Sequence, residues 1–445
     1  MTLATAPAPM LGNLAVGTRL SSIDNLRRLD GTLGSIHIED GQLVAAPALT
    51  ECAASESRDR VDGTGWRIIP AASEPHAHLD KAYSAERFDY FSGTELNSLD
   101  SAISQWVSLL PEITESDIRA RALRALTAYA SRGITTVRTH VDFPQSGDQL
   151  RGIRAISSLK SALSGLMNVQ IVGLANHQTS TEVIKEAIEL GMTHIGGCPH
   201  ISPDPHAQTT RYLDLAQETG LPVDLHTDEQ LSTHEIDLED LARQVIDRGL
   251  TNKVTASHNV RLGQLKPARL AQVLDLVKQA GIGLVTLPIT NLYLQSREFV
   301  TRKPRGLPPL ADILAAGIPL AAGADNLRDP FNPAGTADPF ETTSLLMTAG
   351  HLAPAQALAA VTTGARTVLG LNQVSDGALF TSSTPELATS EPSASVTTDA
   401  IDADFILVPD TDIAEVLAGT VHTRTVVHKG TIIAASTLSS HSLVG

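Results

Sequence analysis

Aromatic residues make up only 3% of this 445-residue chain, so its core must be aliphatic, built from Leu, Ile, Val and Ala. Cysteine is nearly absent as well. Cys52 and Cys198 are the two in the chain, too few for a disulfide framework, and a reducing, cytoplasmic setting is the expectation. No uninterrupted apolar run approaches the ~20 residues needed to cross a bilayer, so no membrane protein is expected. Met1 to Met10 shows no basic region followed by an apolar stretch, so no secretion leader is expected either. Positive charge is scarce: 33 Lys+Arg stand against 49 Asp+Glu, a formal net charge of −16. A polyphosphate partner demands clustered cations, so nucleic acid is not an expected partner.

What is present is a rhythm. At ~150 residues per domain the length suggests about three domains, yet a single (β/α)8 barrel can use ~250 residues or more. Residues 1–65 read as short β segments with turns: Leu14–Thr18, Leu33–Glu39 before Asp40-Gly41, and Leu43–Ala46. From residue 66, eight short apolar runs alternate with segments of helical periodicity: Arg67–Ala72, Ile134–Asp142, Val169–Asn176, Thr193–Pro199, Pro222–Glu229, Lys253–Asn259, Ile282–Pro288 and Ile318–Asn326. Helices are expected over Ser116–Ser131, stopped by Gly133, over Thr181–Leu190, stopped by Gly191, and over Pro354–Leu369. Eight βα repeats over about 300 residues is the arithmetic of a closed barrel. An open doubly wound sheet is the alternative, but no Gly-rich phosphate loop follows the first run.

A Ser/Thr/Pro/Ala-rich stretch at 372–403 reads as a flexible insertion or linker. Strands return at Phe405–Val408, Thr425–His428 and Thr431–Ala434, with Lys429-Gly430 as a tight turn. The expected organisation is therefore a barrel over 66–371, with 1–65 and 404–445 combining into one small β-sandwich.

Polar residues gather at the C-terminal ends of these runs, the face of a (β/α)8 barrel where catalytic groups collect. Glu74-Pro75-His76-Ala77-His78-Leu79-Asp80 follows the first run, and the period of 2 turns both imidazoles to one side. The fifth run ends in His226-Thr227-Asp228-Glu229, the sixth in Ser257-His258-Asn259 and the eighth in Gly323-Ala324-Asp325-Asn326. One His-x-His, or one His after an apolar run, is equally well a hydrogen-bonded strand end. Four runs ending in His or Asp are not required of a structural barrel, and three or four imidazoles with a carboxylate suit a divalent ion with an open position for water.

Glu74–Asp80, Arg138-Thr139-His140-Val141-Asp142, Asp224–Glu229, Thr255-Ala256-Ser257-His258 and Gly323–Pro330 resemble the successive motifs of the amidohydrolase superfamily. Asn291–Gly306 and Pro333-Ala334-Gly335-Thr336-Ala337 narrow the resemblance to its cytosine deaminase-like branch, over about residues 67 to 370. The resemblance implies a hydrolase of non-peptide C–N bonds that deaminates a small nitrogen heterocycle, a pyrimidine or triazine, with a metal-activated water. It implies one divalent ion per chain (zinc, iron or manganese) held by His76, His78, His226 and Asp325. Binuclear relatives carry a bridging lysine that neither Val169–Asn176 nor Thr193–Pro199 contains. In this pattern Glu229 shuttles a proton to a ring nitrogen, His258 stabilises the attacking oxygen and Asp325 takes the water proton.

Two substrate-contacting positions depart from the cytosine deaminase pattern. Where that pattern has glutamine, Asn176 is the counterpart by spacing, and Gln178 would serve if the loop shifts by two. The residue after the metal Asp is Asn326 rather than a second Asp, which exchanges a pure acceptor for a mixed donor and acceptor. Lys81 adds a cation that either meets an anionic substrate group or pairs with Asp80. The substrate is therefore expected to differ from cytosine. The patch Arg297, Arg302, Lys303, Arg305 reads as a solvated loop. The zinc signature of polynucleotide deaminases is absent, and Cys198-Pro199-His200 lacks the second cysteine it would need. Two alternatives stay open: hydrolysis of a cyclic or acyclic amide by the same water, and a non-catalytic barrel that binds a ligand. The resemblance also leaves a homo-oligomer open.

Overall fold

The computed structural model describes residues 11–44, 60–89, 98–231, 236–372 and 401–437. Its larger unit, Ser73–Tyr129 with Thr136–Gly370, is organised by eight strands hydrogen-bonded in chain order: Ala72–Ala77, Ile134–Asp142, Asn168–Ala175, His194–Gly197, Val223–Thr227, Val254–His258, Gly283–Thr286 and Leu320–Ala322. Successive strands run parallel with helices between them. Ile134–Asp142 is buried at eight of its nine positions, as a parallel strand covered on both faces must be. The helix Thr181–Glu189 shows how the covering layer is punctuated. Ser180 caps it by accepting from the Val183 amide, and Gly191 beyond its end takes φ 109°.

Closure of the barrel rests on a seam between the first and last strands. Ala77 and Asp325 form a parallel bridge. The Glu74 carboxyl spans the same gap, accepting from the amides of Ala324 at 2.9 Å and His76 at 3.1 Å. Gly323 leaves room for it: a Cβ there would lie 2.0 Å from Glu74 Oε1. Burial pushes the Glu74 carboxyl up to about 8, against the pull of those amides. The seam thereby sets Asp325 beside His76 and His78.

Seven of the eight expected runs coincide with barrel strands, and the first does not. Trp66–Pro70 pairs antiparallel with Phe405–Pro409 in the other unit's sheet, while the first barrel strand is Ala72–Ala77. An apolar run marks burial without saying which sheet is joined, and the sequence ASEPHA hides a fully buried strand behind polar side chains.

The second unit takes its strands from both chain ends. They form one mixed sheet of nine strands, in the order Ile401–Asp402, Gln42–Val44, Leu33–Glu39, Ser22–Arg27, Trp66–Pro70, Phe405–Pro409, Arg424–His428 and Thr431–Ser436, with Arg60–Asp62 beside Ser22–Arg27. Its core holds Ile23, Leu26, Ile36, Ile68, Phe405 and Val427. The expected strand Leu14–Thr18 is instead a turn after the short helix Leu11–Asn13, and the strand lies at Ser22–Arg27. Lys429 and Gly430 turn the final hairpin with φ 46° and 70°. The expected helix Pro354–Leu369 breaks at Thr362 into Pro354–Val361 and Thr363–Leu369. Most of the expected linker, residues 373–400, lies outside the described residues, as does Cys52. No described helix is long and apolar enough to cross a membrane.

Candidate metal centre and active site

Four strand ends bring together the residues singled out in the sequence. His76 lies in the first strand with His78 just past it, His226 lies in the fifth, His258 ends the sixth and Asp325 follows the eighth. Asp325 and His258 hold left-handed backbone, φ 67° and 71°, as do Asp228 and Asn259 at 51° and 55°. Non-glycine residues rarely adopt such conformations, and clusters of them are typical of sites whose surroundings over-determine the geometry.

His76 Nε2 and His226 Nε2 lie 3.1 Å apart, and His226 Nε2 and His78 Nε2 3.4 Å apart. Asp325 Oδ1 stands 3.2 Å from His78 Nε2 and 3.7 Å from His76 Nε2. The tautomer of His76 follows from its neighbours. Ser257 Oγ donates to Asp224 Oδ1 at 3.2 Å, so it accepts from His76 Nδ1 at 2.9 Å and leaves a lone pair on Nε2. Burial, reinforced by the neighbouring imidazoles, holds His76 and His226 well below the ordinary histidine range. Burial likewise raises the Asp325 carboxyl, with Glu229, Asp329 and Glu74 adding to the effect.

Neutral nitrogens and a carboxylate crowded this closely, with both Asp325 oxygens lacking hydrogen-bond partners, form a donor set that fits a cation. Two ligands about 2.0–2.1 Å from a tetrahedral ion lie about 3.3–3.4 Å apart, a value that the observed spacings of 3.1–3.7 Å bracket. Two other triads also meet at His76, with His226 and His258 or with His140 and Asp224. His76 Nδ1 is given to Ser257, which in turn donates to Asp224, so the Nε2 side facing His226 and Asp325 is the one left for an ion.

Glu229 sits between two imidazoles. Its Oε2 is 3.5 Å from His200 Nε2 and its Oε1 is 3.8 Å from His258 Nδ1. Burial works against its charge, yet His258 and His200 outweigh burial and lower its carboxyl. Burial pulls His258 down to about 4 against the opposing effect of Glu229. Asn291 Nδ2 lies 3.1 Å from His258 Nδ1 on the same side as Glu229, and His258 Nε2 has no partner of its own.

His78, His200, His226, Glu229, His258 and Asp325 face one cavity of about 660 Å³. Asn176 and Asn326 line it, each already engaged: Asn176 Oδ1 accepts from the Gln178 amide at 2.8 Å, and Asn326 Nδ2 donates to Asp329 at 2.7 Å. Gln178 is exposed and does not reach the cavity. Lys81 lines it but is paired, and its main partner is Asp142 at 2.7 Å rather than Asp80 at 3.8 Å. Trp106 Nε1 donates to the other Asp142 oxygen at 2.8 Å. Trp106, Asp142, His200 and Phe331 are lining residues to which sequence reasoning gave no role. Of these, His200 stood in a motif already noticed, and Asp142 ends a motif already quoted.

A buried charge network lies beneath. Arg138 donates to Asp224 at 2.7 Å, to Gln170 at 2.8 Å and to Thr255 at 3.2 Å, while His140 stacks on His76 with centroids 3.9 Å apart. Burial opposes ionisation of Asp224, but His140 and then Arg138 hold its carboxyl down at about 2. Arg138→Leu would strand that carboxylate, and urea denaturation should register a loss of about 3–5 kcal/mol. A loss under ~1 kcal/mol would show that the pair does not support the fold.

Comparison with known proteins places the chain in context. Residues 94–379 match the profile described as the amidohydrolase family. A pterin deaminase from Rhizobium rhizogenes is 32% identical over 348 residues, covering 76% of this chain and 75% of the relative. The 5-methylcytosine deaminase of Klebsiella pneumoniae, solved with 5-fluorocytosine, superposes with a TM-score of 0.79 at 25% identity over 95% of this chain and 99% of that one. The N-isopropylammelide isopropylaminohydrolase of Burkholderia multivorans shares the fold, with a TM-score of 0.75 at 23% identity, covering 93% and 98% of the two chains.

Proposed function

The chain belongs to the amidohydrolase family and is a hydrolase acting on carbon–nitrogen bonds, and from that premise we propose that it removes the exocyclic amine of a small nitrogen heterocycle, of the aminopyrimidine, aminotriazine or pterin kind. The observation that carries this reading is Glu229, a buried carboxyl between His200 and His258 at the wall of the cavity that His78, His226 and Asp325 also line. A carboxyl so placed can protonate a ring nitrogen, which deamination of a heteroaromatic ring requires and simple amide cleavage does not.

In this reading His76, His78, His226 and Asp325 hold one divalent ion, zinc, iron or manganese. Bound there, such an ion lowers the pKa of water to about 7 and so makes a nucleophile available at neutral pH. Asp325 takes the proton from that water on a carboxylate oxygen that has no other partner. Glu229, whose lowered carboxyl starts ionised, takes up the second proton of the attacking oxygen and delivers it to the ring nitrogen, while His258 stabilises the incoming oxygen and Asn176 and Asn326 orient the ring. A C–O bond forms as the C–N bond breaks, and Asp325 returns its proton to the departing nitrogen, which leaves as ammonia. Lys81, committed to Asp142, supports the wall and carries no charge to the substrate.

The test is ammonia release by purified protein loaded separately with each of the three metals, on a panel of aminopyrimidines, aminotriazines and pterins. Product mass must show exchange of NH for O. Addition of a whole water would instead mean ring opening, and silence across the panel would end the deaminase reading.

A further inference from the structure

The helix Leu99–Leu109 carries apolar residues on two faces. Ala102, Trp106 and Leu109 are buried. Leu99, Ile103 and Val107, continued by Leu110, form a second stripe at the i, i+4, i+8, i+11 spacing of one helix face. Each residue of that stripe lines the same cavity as Glu229 and Asp325, and none is buried by the protein. Val107 is 54% exposed, and Ile201 on another wall of the cavity is 47% exposed. Exposed apolar side chains scattered singly mean little, but a contiguous row that opens onto a reactive centre marks a surface that a ligand covers.

The floor and the upper wall of this cavity therefore differ in kind. The floor holds the imidazoles, Glu229 and Asp325, while the stripe offers no donor or acceptor. A volume of about 660 Å³ falls within the ~300–1,000 Å³ that encloses drug-sized ligands, well beyond one bare ring. Charge narrows the occupant further. Lys81 is the one Lys or Arg among the described lining residues, and Asp142 neutralises it at 2.7 Å. With Asp142 spent on Lys81 and Asp325 given to the ion, Glu229 is the charge left facing a ligand, and no lining Lys or Arg is free to pair with a carboxylate or phosphate.

We propose that the heterocycle taken by this site is uncharged and carries an apolar substituent, which lies along Leu99, Ile103, Val107 and Leu110 while the amine-bearing edge meets Glu229. The proposal rests on the deaminase reading above. Hydrophobic burial gives its magnitude: each methylene covered by the stripe raises kcat/KM roughly fourfold. The ring stays on the polar floor, so the substituent must project from an edge remote from the amine.

The test compares an aminotriazine and pterin, each in three forms: unsubstituted, propyl-substituted and carboxymethyl-substituted at a position away from the amine. With metal-loaded protein, the propyl form of the better ring should exceed the unsubstituted form at least ~10-fold in kcat/KM, and the carboxymethyl form should be the poorest. Val107→Asp, at a position exposed enough to fold normally, should erase the preference for propyl. Equal turnover of propyl and unsubstituted forms, a preference for carboxymethyl, or an unchanged preference in the Val107 variant would each overturn the proposal while leaving deamination standing. If no form of either ring releases ammonia, the deaminase reading fails for these rings and the proposal falls with it.

Discussion

Glu229→Gln should lower kcat by 10²–10⁴-fold while leaving the metal content of the protein unchanged. That range is what a positioned proton donor contributes when chemistry limits turnover. Gln is nearly isosteric with Glu, so the space between His200 Nε2 and His258 Nδ1, 3.5 Å and 3.8 Å from the carboxylate oxygens, stays filled. It cannot release and recover a proton, and its NH2 group brings donors where the carboxylate only accepted. Metal analysis separates this outcome from a collapsed site, because Glu229 is not one of the four residues proposed to hold the ion. A kcat within threefold of the parent would remove Glu229 from the mechanism. A metal-free variant would instead make it a structural support of the cluster.

The second large effect is loss of the metal itself. Chelation should abolish turnover, with recovery on adding back one divalent ion per chain, and His226→Ala should prevent that recovery. His226 is the strongest choice because its Nε2 is the atom shared by the two shortest nitrogen–nitrogen approaches in the cluster. Stability supplies a second readout. An ion at 1,000 times its Kd stabilises the native state by about 4 kcal/mol, so chelation should lower the thermal midpoint of the parent. It should leave that of His226→Ala nearly unmoved. A chelated protein that keeps its full activity would sink the metal assignment outright.

Much of this was legible in the sequence, for reasons that differ from residue to residue. Seven barrel strands could be placed because parallel strands buried on both faces read as continuous apolar runs. His76, His78, His226, His258 and Asp325 could be placed because a barrel collects its functional groups at strand ends, so each residue's address followed from the run before it. Ala72–Ala77 escaped because its Ser, Glu and His are buried by the site itself rather than by apolarity. Trp106 and Asp142 escaped because their contact joins residues 36 apart across two elements, and no local periodicity encodes it. Lys81 shows the limit most plainly. Its neighbour in sequence is Asp80, but the strand end at Asp142 brings a second carboxylate closer, and space decided the pairing.

The seam between the first and eighth strands has one more consequence. A cask of eight staves has no free edge once hooped, and here the joint that closes the ring is also where the candidate metal-binding cluster is assembled. His76 and His78 ride on one side of the joint and Asp325 on the other, with Glu74 bridging it. The contacts that close the cylinder and those that gather the candidate ligands are thus the same contacts.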